Sequence, residues 1–260
     1  MHLYFHIGNY NLPSYSTMII LGLLIGNFLV WFLGKRWKML FEDFLILEAY
    51  TCLGAVIGAK GLYLFVMRDY VEWNRFFELK YFSDLMLGGF VFYGGLIGGV
   101  LFFFLAGKIH RIDTGAFIRR FMFVVPLIHG FGRIGCFMAG CCYGRPYNGP
   151  GAVIFPENSM APGGISLFPV QLVEAICLFA LAGILYLASF KIKSAFSMMA
   201  LYFGIYAMVR FVLEYFRYDD MERGGFGLFS TSQWISVAIA AVLAARLPLL
   251  AKRKRRSRQV

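Results

Sequence analysis

Seven apolar stretches of about 20 residues constrain what this chain can fold into more than any other feature. They run from Ser14 to Leu33, Phe44 to Met67, Leu87 to Gly107, Phe117 to Met138, Phe168 to Phe190, Ala195 to Tyr215 and Thr231 to Leu250. A helix rising 1.5 Å per residue covers the roughly 30 Å hydrocarbon core of a bilayer with such a stretch. Backbone N–H and C=O groups have no other partner at that depth, so each window predicts a helix. Composition agrees, because 60% apolar and 15% charged residues exclude an ordinary soluble globular protein. The expected fold is all-α, a polytopic membrane protein with seven transmembrane helices in a single domain over residues 1–260.

Orientation follows from the cations. Lys35, Arg36 and Lys38 follow the first window, Lys108, Arg111, Arg119 and Arg120 fall between the third and fourth, and Lys191 and Lys193 between the fifth and sixth. The opposite side mixes its few cations with Asp69, Glu72, Glu78, Asp84, Asp219 and Asp220. The positive-inside rule then puts the N-terminus outside and the C-terminus in the cytoplasm. Residues 251–260 form a basic cytoplasmic tail that accounts for six cations of a net charge of +11. Beside a membrane such a cluster adheres to anionic lipid headgroups, so the expected partners are membrane lipids and no nucleic acid. No Lys or Arg precedes the first window, which argues against a cleaved signal peptide. The longest connections, about residues 68–86 and 139–167, fall outside, and the Gly and Pro content of the second forbids one continuous helix.

Two arginines break the apolar pattern. Arg133 lies in Gly132-Arg133-Ile134-Gly135-Cys136-Phe137, and Arg210 belongs to the series Tyr206, Arg210, Glu214, Arg217. An arginine at the centre of a membrane helix costs roughly 2.5 to 3.5 kcal/mol on insertion scales, so each should face a polar cavity or an anion. At about 100° per residue the four members of the series share an arc of roughly 80° on one helix face. Arg210 and Glu214, one turn apart, could also simply neutralise each other. For Arg133 the candidates are Glu174, Glu214 or a phospholipid phosphate. Pro169 suits the first turn of the fifth helix, which sets Gln171 and Glu174 three apart on one face near the outer boundary. Lys60 is one more cation in an apolar setting, although its stem is long enough to snorkel.

The segment 126–146 also carries Gly130, Gly132, Gly135, Gly140 and Gly144, which suit close helix packing or a ligand lying against the backbone. Cys136, Cys141 and Cys142 follow His129 within it and admit a metal or thiol redox centre, although the spacing is not that of paired structural zinc motifs. Cys52 and Cys177 read as small apolar residues within spans.

Taken in order, these pieces resemble the prolipoprotein diacylglyceryl transferase family of bacterial inner membranes. The resemblance rests on Tyr15, Gly94-Gly95-Leu96-Ile97-Gly98, Gly132-Arg133-Ile134-Gly135, Pro169-Val170-Gln171-Leu172-Val173-Glu174, the Tyr206 to Arg217 series and Gly227-Leu228-Phe229-Ser230-Thr231-Ser232-Gln233. It implies an enzyme of the bacterial plasma membrane that transfers diacylglyceryl from phosphatidylglycerol to the lipobox cysteine thiol of a prolipoprotein signal peptide. No cofactor and no metal is implied. Family members usually carry histidine at Tyr93, asparagine at Cys136 and an acidic residue at Cys141, so thiols stand here in a polar signature.

The implied roles follow from the reaction. Arg133 would bind the donor phosphate and Arg210 would stabilise the leaving group, since guanidinium grips phosphate oxygens bidentately. Glu214 and Tyr206 would orient the arginines, His129 would accept the thiol proton, and Tyr15, Tyr93, Gln171 and Glu174 would line the substrate cavity. Two other classes compete: a thiol-disulfide or metal-binding membrane protein using Cys136, Cys141 and Cys142, and a non-enzymatic lipid-binding protein using the same arginines.

Overall fold

Helix forms where an apolar run is free of breakers and stops where glycine or proline returns. The computed structural model describes residues 3–8, 10–218 and 225–256. A hairpin of β1 (Tyr4–Ile7) and β2 (Tyr10–Pro13) leads into α1 (Ser14–Trp37), followed by α2 (Phe41–Val66), α3 (Leu79–Leu87) and α4 (Phe92–Ile109). Then come α5 (Thr114–Phe121), α6 (Val124–Ala139), the paired strands β3 (Val153–Ile154) and β4 (Ser166–Leu167), α7 (Val170–Ser189) and α8 (Ala195–Glu214). A last hairpin of β5 (Gly225–Phe226) and β6 (Phe229–Ser230) opens α9 (Thr231–Arg256).

The protein is all-α apart from these short hairpins. Helices α1, α2, α4, α7 and α8 are each long and apolar enough to cross a bilayer, and α5 with α6 makes six if taken as one broken span. The continuous fourth helix expected from sequence is therefore corrected: α5 and α6 meet at a 56° bend. Pro126, third residue of α6, explains the break, since its ring would strike the carbonyl of Met122 if the helix ran straight through. The seventh window forms the helix α9 but is not counted among those six. Residues 257–260 of the basic tail, Asp219 and Asp220 lie outside the described residues.

Two compact units divide the chain, one of residues 1–29 with 118–260 and one of residues 30–117. In the second, α2 and α4 meet through facing glycines, Gly54 and Gly58 against Gly94 and Gly98. A Cβ on any of the four would run into the facing backbone. The third window starts late because α3 uses Leu87, and Gly88 with left-handed Gly89 turns the chain before α4. Lys60 secures that turn by donating to the carbonyls of Leu85 at 2.8 Å, Gly89 at 2.9 Å and Gly88. It is a cap for the carbonyls ending α3.

In the first unit α7 is the most enclosed span, burying Gln171, Glu174, Leu178, Leu181, Leu185 and Ser189 along one stripe. Gly130 of α6 admits the Phe179 ring of α7, while Gly22 and Gly26 of α1 admit Phe131, Ile128 and Val124 of α6. Arg120 donates to the Ser189 carbonyl at 2.6 Å, holding the end of α7. The long connection before α7 is folded on itself: Phe155, Ala161 and Leu167 are buried against Phe137, Tyr143 and Val153.

Candidate polar site within the membrane helices

The site is built where α6, α7, α8 and the start of α9 bring charged side chains together in the first unit. On α7, Glu174 is 1% exposed and receives two partners. Arg133 Nε of α6 lies 3.1 Å from one carboxylate oxygen as an ionic contact, and the Tyr206 hydroxyl of α8 donates to the other at 3.0 Å. A carboxylate at that depth must be compensated, and one guanidinium plus one hydroxyl achieve it from two neighbouring helices.

Beside this group Arg210 forms a second one. Its Nη2 is 2.7 Å from Glu214 Oε2, one turn on in α8, and donates to Ser232 Oγ of α9 at 3.2 Å. Its Nη1 is buried with no hydrogen-bond partner among the described residues. Five N–H donors in a rigid fork cannot all be served by one carboxylate and one hydroxyl. Among the described residues one donor faces no acceptor.

Two sequence expectations change here. Tyr206 acts on Glu174, and through it on Arg133, whereas Glu214 pairs with Arg210. Arg217 is not on the helical stripe, because α8 ends at Glu214 and Arg217 forms an antiparallel bridge with Gly144. The chain leaves the helix there to bond with the connection after α6: Arg145 N–H donates to Phe216 and Tyr218 N–H to Tyr143.

The remaining expected residues are placed as follows. His129, one turn before Arg133, sets its ring edge-on to Tyr206 with centroids 5.3 Å apart. Gln171 is buried, donates from Nε2 to the Cys141 carbonyl at 2.8 Å, and keeps Oε1 buried without a hydrogen-bond partner among the described residues. Tyr15, in the first turn of α1, is 44% exposed, and its backbone lies against Gly135 of α6. Tyr93 belongs to the second unit, where it begins α4 with its ring edge-on to Phe92.

Two contributors escaped the sequence reading. Ser232 was quoted only as part of a motif, yet it holds Arg210. Gln233 and Ser230 form a reciprocal cap, Ser230 N–H donating to Gln233 Oε1 at 3.1 Å and Gln233 N–H to Ser230 Oγ at 3.3 Å. The signal was legible as Ser-x-x-Gln before an apolar run. It fixes the first turn of α9, and with it Ser232.

At the end of α6, Cys136, Cys141 and Cys142 place their sulfurs within 4.8 Å of one another. All are free thiols. Hydrogen bonds from the Cys136 and Cys141 thiols, then the charges of Arg217 and Arg133, hold Cys142 below the usual thiol range despite burial.

The family model for prolipoprotein diacylglyceryl transferase matches residues 2–247. A phosphatidylglycerol–prolipoprotein diacylglyceryl transferase 2 of Clostridium perfringens is 36% identical over 233 residues, covering 87% of this chain and 86% of its own. Similar too are phosphatidylglycerol–prolipoprotein diacylglyceryl transferases of Clostridium tetani, 35% identical over 90% of this chain and 91% of that one, and of Bordetella parapertussis, 34% identical over 82% and 83%.

Proposed function

The chain belongs to the prolipoprotein diacylglyceryl transferase family, and from that premise we propose that it moves a diacylglyceryl group from phosphatidylglycerol to the lipobox cysteine thiol of a prolipoprotein. The observation that carries this is Arg210, which keeps one guanidinium nitrogen buried and without a hydrogen-bond partner among the described residues. A cation so placed is matched to an anion that arrives with the substrate. In the reaction the acceptor thiol loses its proton and its sulfur attacks the terminal glyceryl carbon. The carbon–oxygen bond to phosphate breaks, its electron pair stays on oxygen, and glycerol phosphate leaves as the thioether forms.

Arg133, aligned by Glu174 and Tyr206, holds the donor phosphate. Arg210, braced by Glu214 and Ser232, meets the charge growing on the leaving oxygen. His129 takes the thiol proton, while Tyr15 and Gln171 line the path of the substrates. The chain is one seven-span domain of the bacterial plasma membrane, with α9 as the seventh crossing, the N-terminus outside and the basic tail in the cytoplasm.

The test is turnover by detergent-purified protein given phosphatidylglycerol and a lipobox peptide. Mass gain on the peptide cysteine with equal release of glycerol phosphate is expected. Lipid binding without release would make this a lipid-binding protein.

A further inference from the structure

The transfer chemistry above leaves three thiols unused, and the backbone works to bring them together. Left-handed Gly140 ends α6, and the Cys141 N–H turns back to the Cys136 carbonyl at 3.1 Å. Cys142 itself sits at φ 56°, a region that residues other than glycine seldom occupy. The outcome is three sulfurs mutually within 4.8 Å, on a turn tied to α7 by the Gln171 amide.

Three converging sulfurs favour a soft d10 cation over magnesium or calcium, which take oxygen ligands. Tetrahedral zinc with bonds of about 2.3 Å sets its sulfurs roughly 3.8 Å apart, within reach of side-chain rotation from the present geometry. Among the described residues no His, Asp or Glu joins the group, so a fourth ligand would come from outside the chain. Three protein ligands and one open position is the pattern of reactive rather than structural zinc. A zinc ion on three thiolates carries a net negative charge, and the Arg133 and Arg217 guanidinium groups lie within electrostatic reach of Cys142 to offset it. Arg133 also precedes Cys136 by three residues in α6, putting both on one face.

We propose that Cys136, Cys141 and Cys142 bind one zinc ion as thiolates and that the cysteine of the acceptor peptide takes the fourth position. The second half rests on the transferase function proposed above. Each of the three protein thiols gives its proton to water on coordination, and the acceptor thiol gives its own to His129, the base assigned above. The zinc-bound acceptor sulfur then supplies the electron pair for the carbon–sulfur bond, the carbon–oxygen bond breaks toward phosphate, and zinc keeps its oxidation state. Coordination thereby performs part of the work assigned to a base.

The experiment uses the full-length protein in detergent, reduced and freed of metal, with zinc and cobalt as probes. One zinc per chain is expected, together with sulfur-to-cobalt charge-transfer absorption and protection of three thiols from alkylation in the unmutated protein. Cys136→Ser, Cys141→Ser and Cys142→Ser should each weaken binding by at least the roughly 10- to 100-fold seen when a metal's outer-shell partner is lost. Cys52→Ser and Cys177→Ser should bind fully. No zinc in folded protein, no thiol protection, or undiminished binding in the triple variant would overturn the site. A cysteine peptide should shift the cobalt bands and its serine counterpart should not; no shift with either would overturn the acceptor role. These readouts need no turnover, so a failure of the transferase function shows separately, as absence of glycerol phosphate while metal still binds.

Discussion

Arg133 and Arg210 look alike in sequence, yet their surroundings set them different tasks. Arg133 has its buried Nε in ionic contact with a carboxylate that a tyrosine also holds, whereas the buried Nη1 of Arg210 has no hydrogen-bond partner among the described residues. Arg133→Ala should mainly weaken donor binding, and Arg210→Ala should mainly slow single-turnover transfer, by about 30- to 1000-fold for one lost charge-assisted contact. Lysine at either position should restore part of the loss, keeping the charge without the planar fork. Unchanged binding and turnover in both alanine variants would leave the arginines purely structural. Glu174→Gln tests the pairing itself: it strands Arg133 in a buried setting and should cost about 3 to 5 kcal/mol, read as a fall in unfolding temperature in detergent. A double change of Arg133 and Glu174 to methionine should recover much of that stability while remaining inactive. The charges were legible in the sequence because an ion in an apolar window is conspicuous. Their partnership was legible in part, since helical spacing reveals Arg210 with Glu214, whereas Arg133 was left with Glu174, Glu214 or a phosphate until the packing of α6 on α7 selects Glu174 among the described residues.

Elements show the same division between local and packed information. Five of the seven windows fall on single helices long and apolar enough to cross a bilayer, because a backbone without water has no alternative to helix, and a sixth falls on the broken pair α5 and α6. The break at Pro126 was available in principle and was passed over, since hydropathy ignores backbone N–H supply. Helix α3 and the Lys60 cap were out of reach, being decided by three carbonyls 25 to 29 residues away in sequence. The glycines of α2 and α4 can be tested as an interface. Gly58→Ala places a methyl group against Gly94 backbone and should cost about 1 to 3 kcal/mol of stability, measured by thermal unfolding. Gly61→Ala, on the same helix with nothing within 4 Å of its Cβ, should be neutral or slightly stabilising. Equal effects at the two positions would mean that helix propensity, and not close approach, governs them. At α9, Ser230→Ala should cost about 1 kcal/mol through its cap and lower turnover further by loosening Ser232 from Arg210.

At the scale of the whole molecule, between 11 and 39% of each candidate span is buried within the protein, so most of its apolar surface needs a hydrocarbon solvent. Charge gives that membrane protein a direction. Lys35 and Arg36 close α1, Lys108 closes α4, Arg119 and Arg120 close α5, and Lys191 and Lys193 follow α7. On the opposite side Arg75 is largely cancelled, lying 3.0 Å from Glu72 and 3.2 Å from Glu78, and Arg68 sits beside Asp69. The positive-inside rule would place the first set in the cytoplasm, as proposed above. If α5 and α6 cross once and α9 crosses last, as proposed, the two termini fall on opposite faces. A reporter fused after Val260 should therefore be active only in the cytoplasm. Asn158→Cys, exposed in the connection before α7, should react in intact cells with an impermeant thiol reagent when the native cysteines are replaced by serine. Cytoplasmic signal at both positions would mean that the intervening segments cross an even number of times. The orientation, the seventh crossing at α9, and the delivery of acceptor thiols from the outer face would then all have to be withdrawn together.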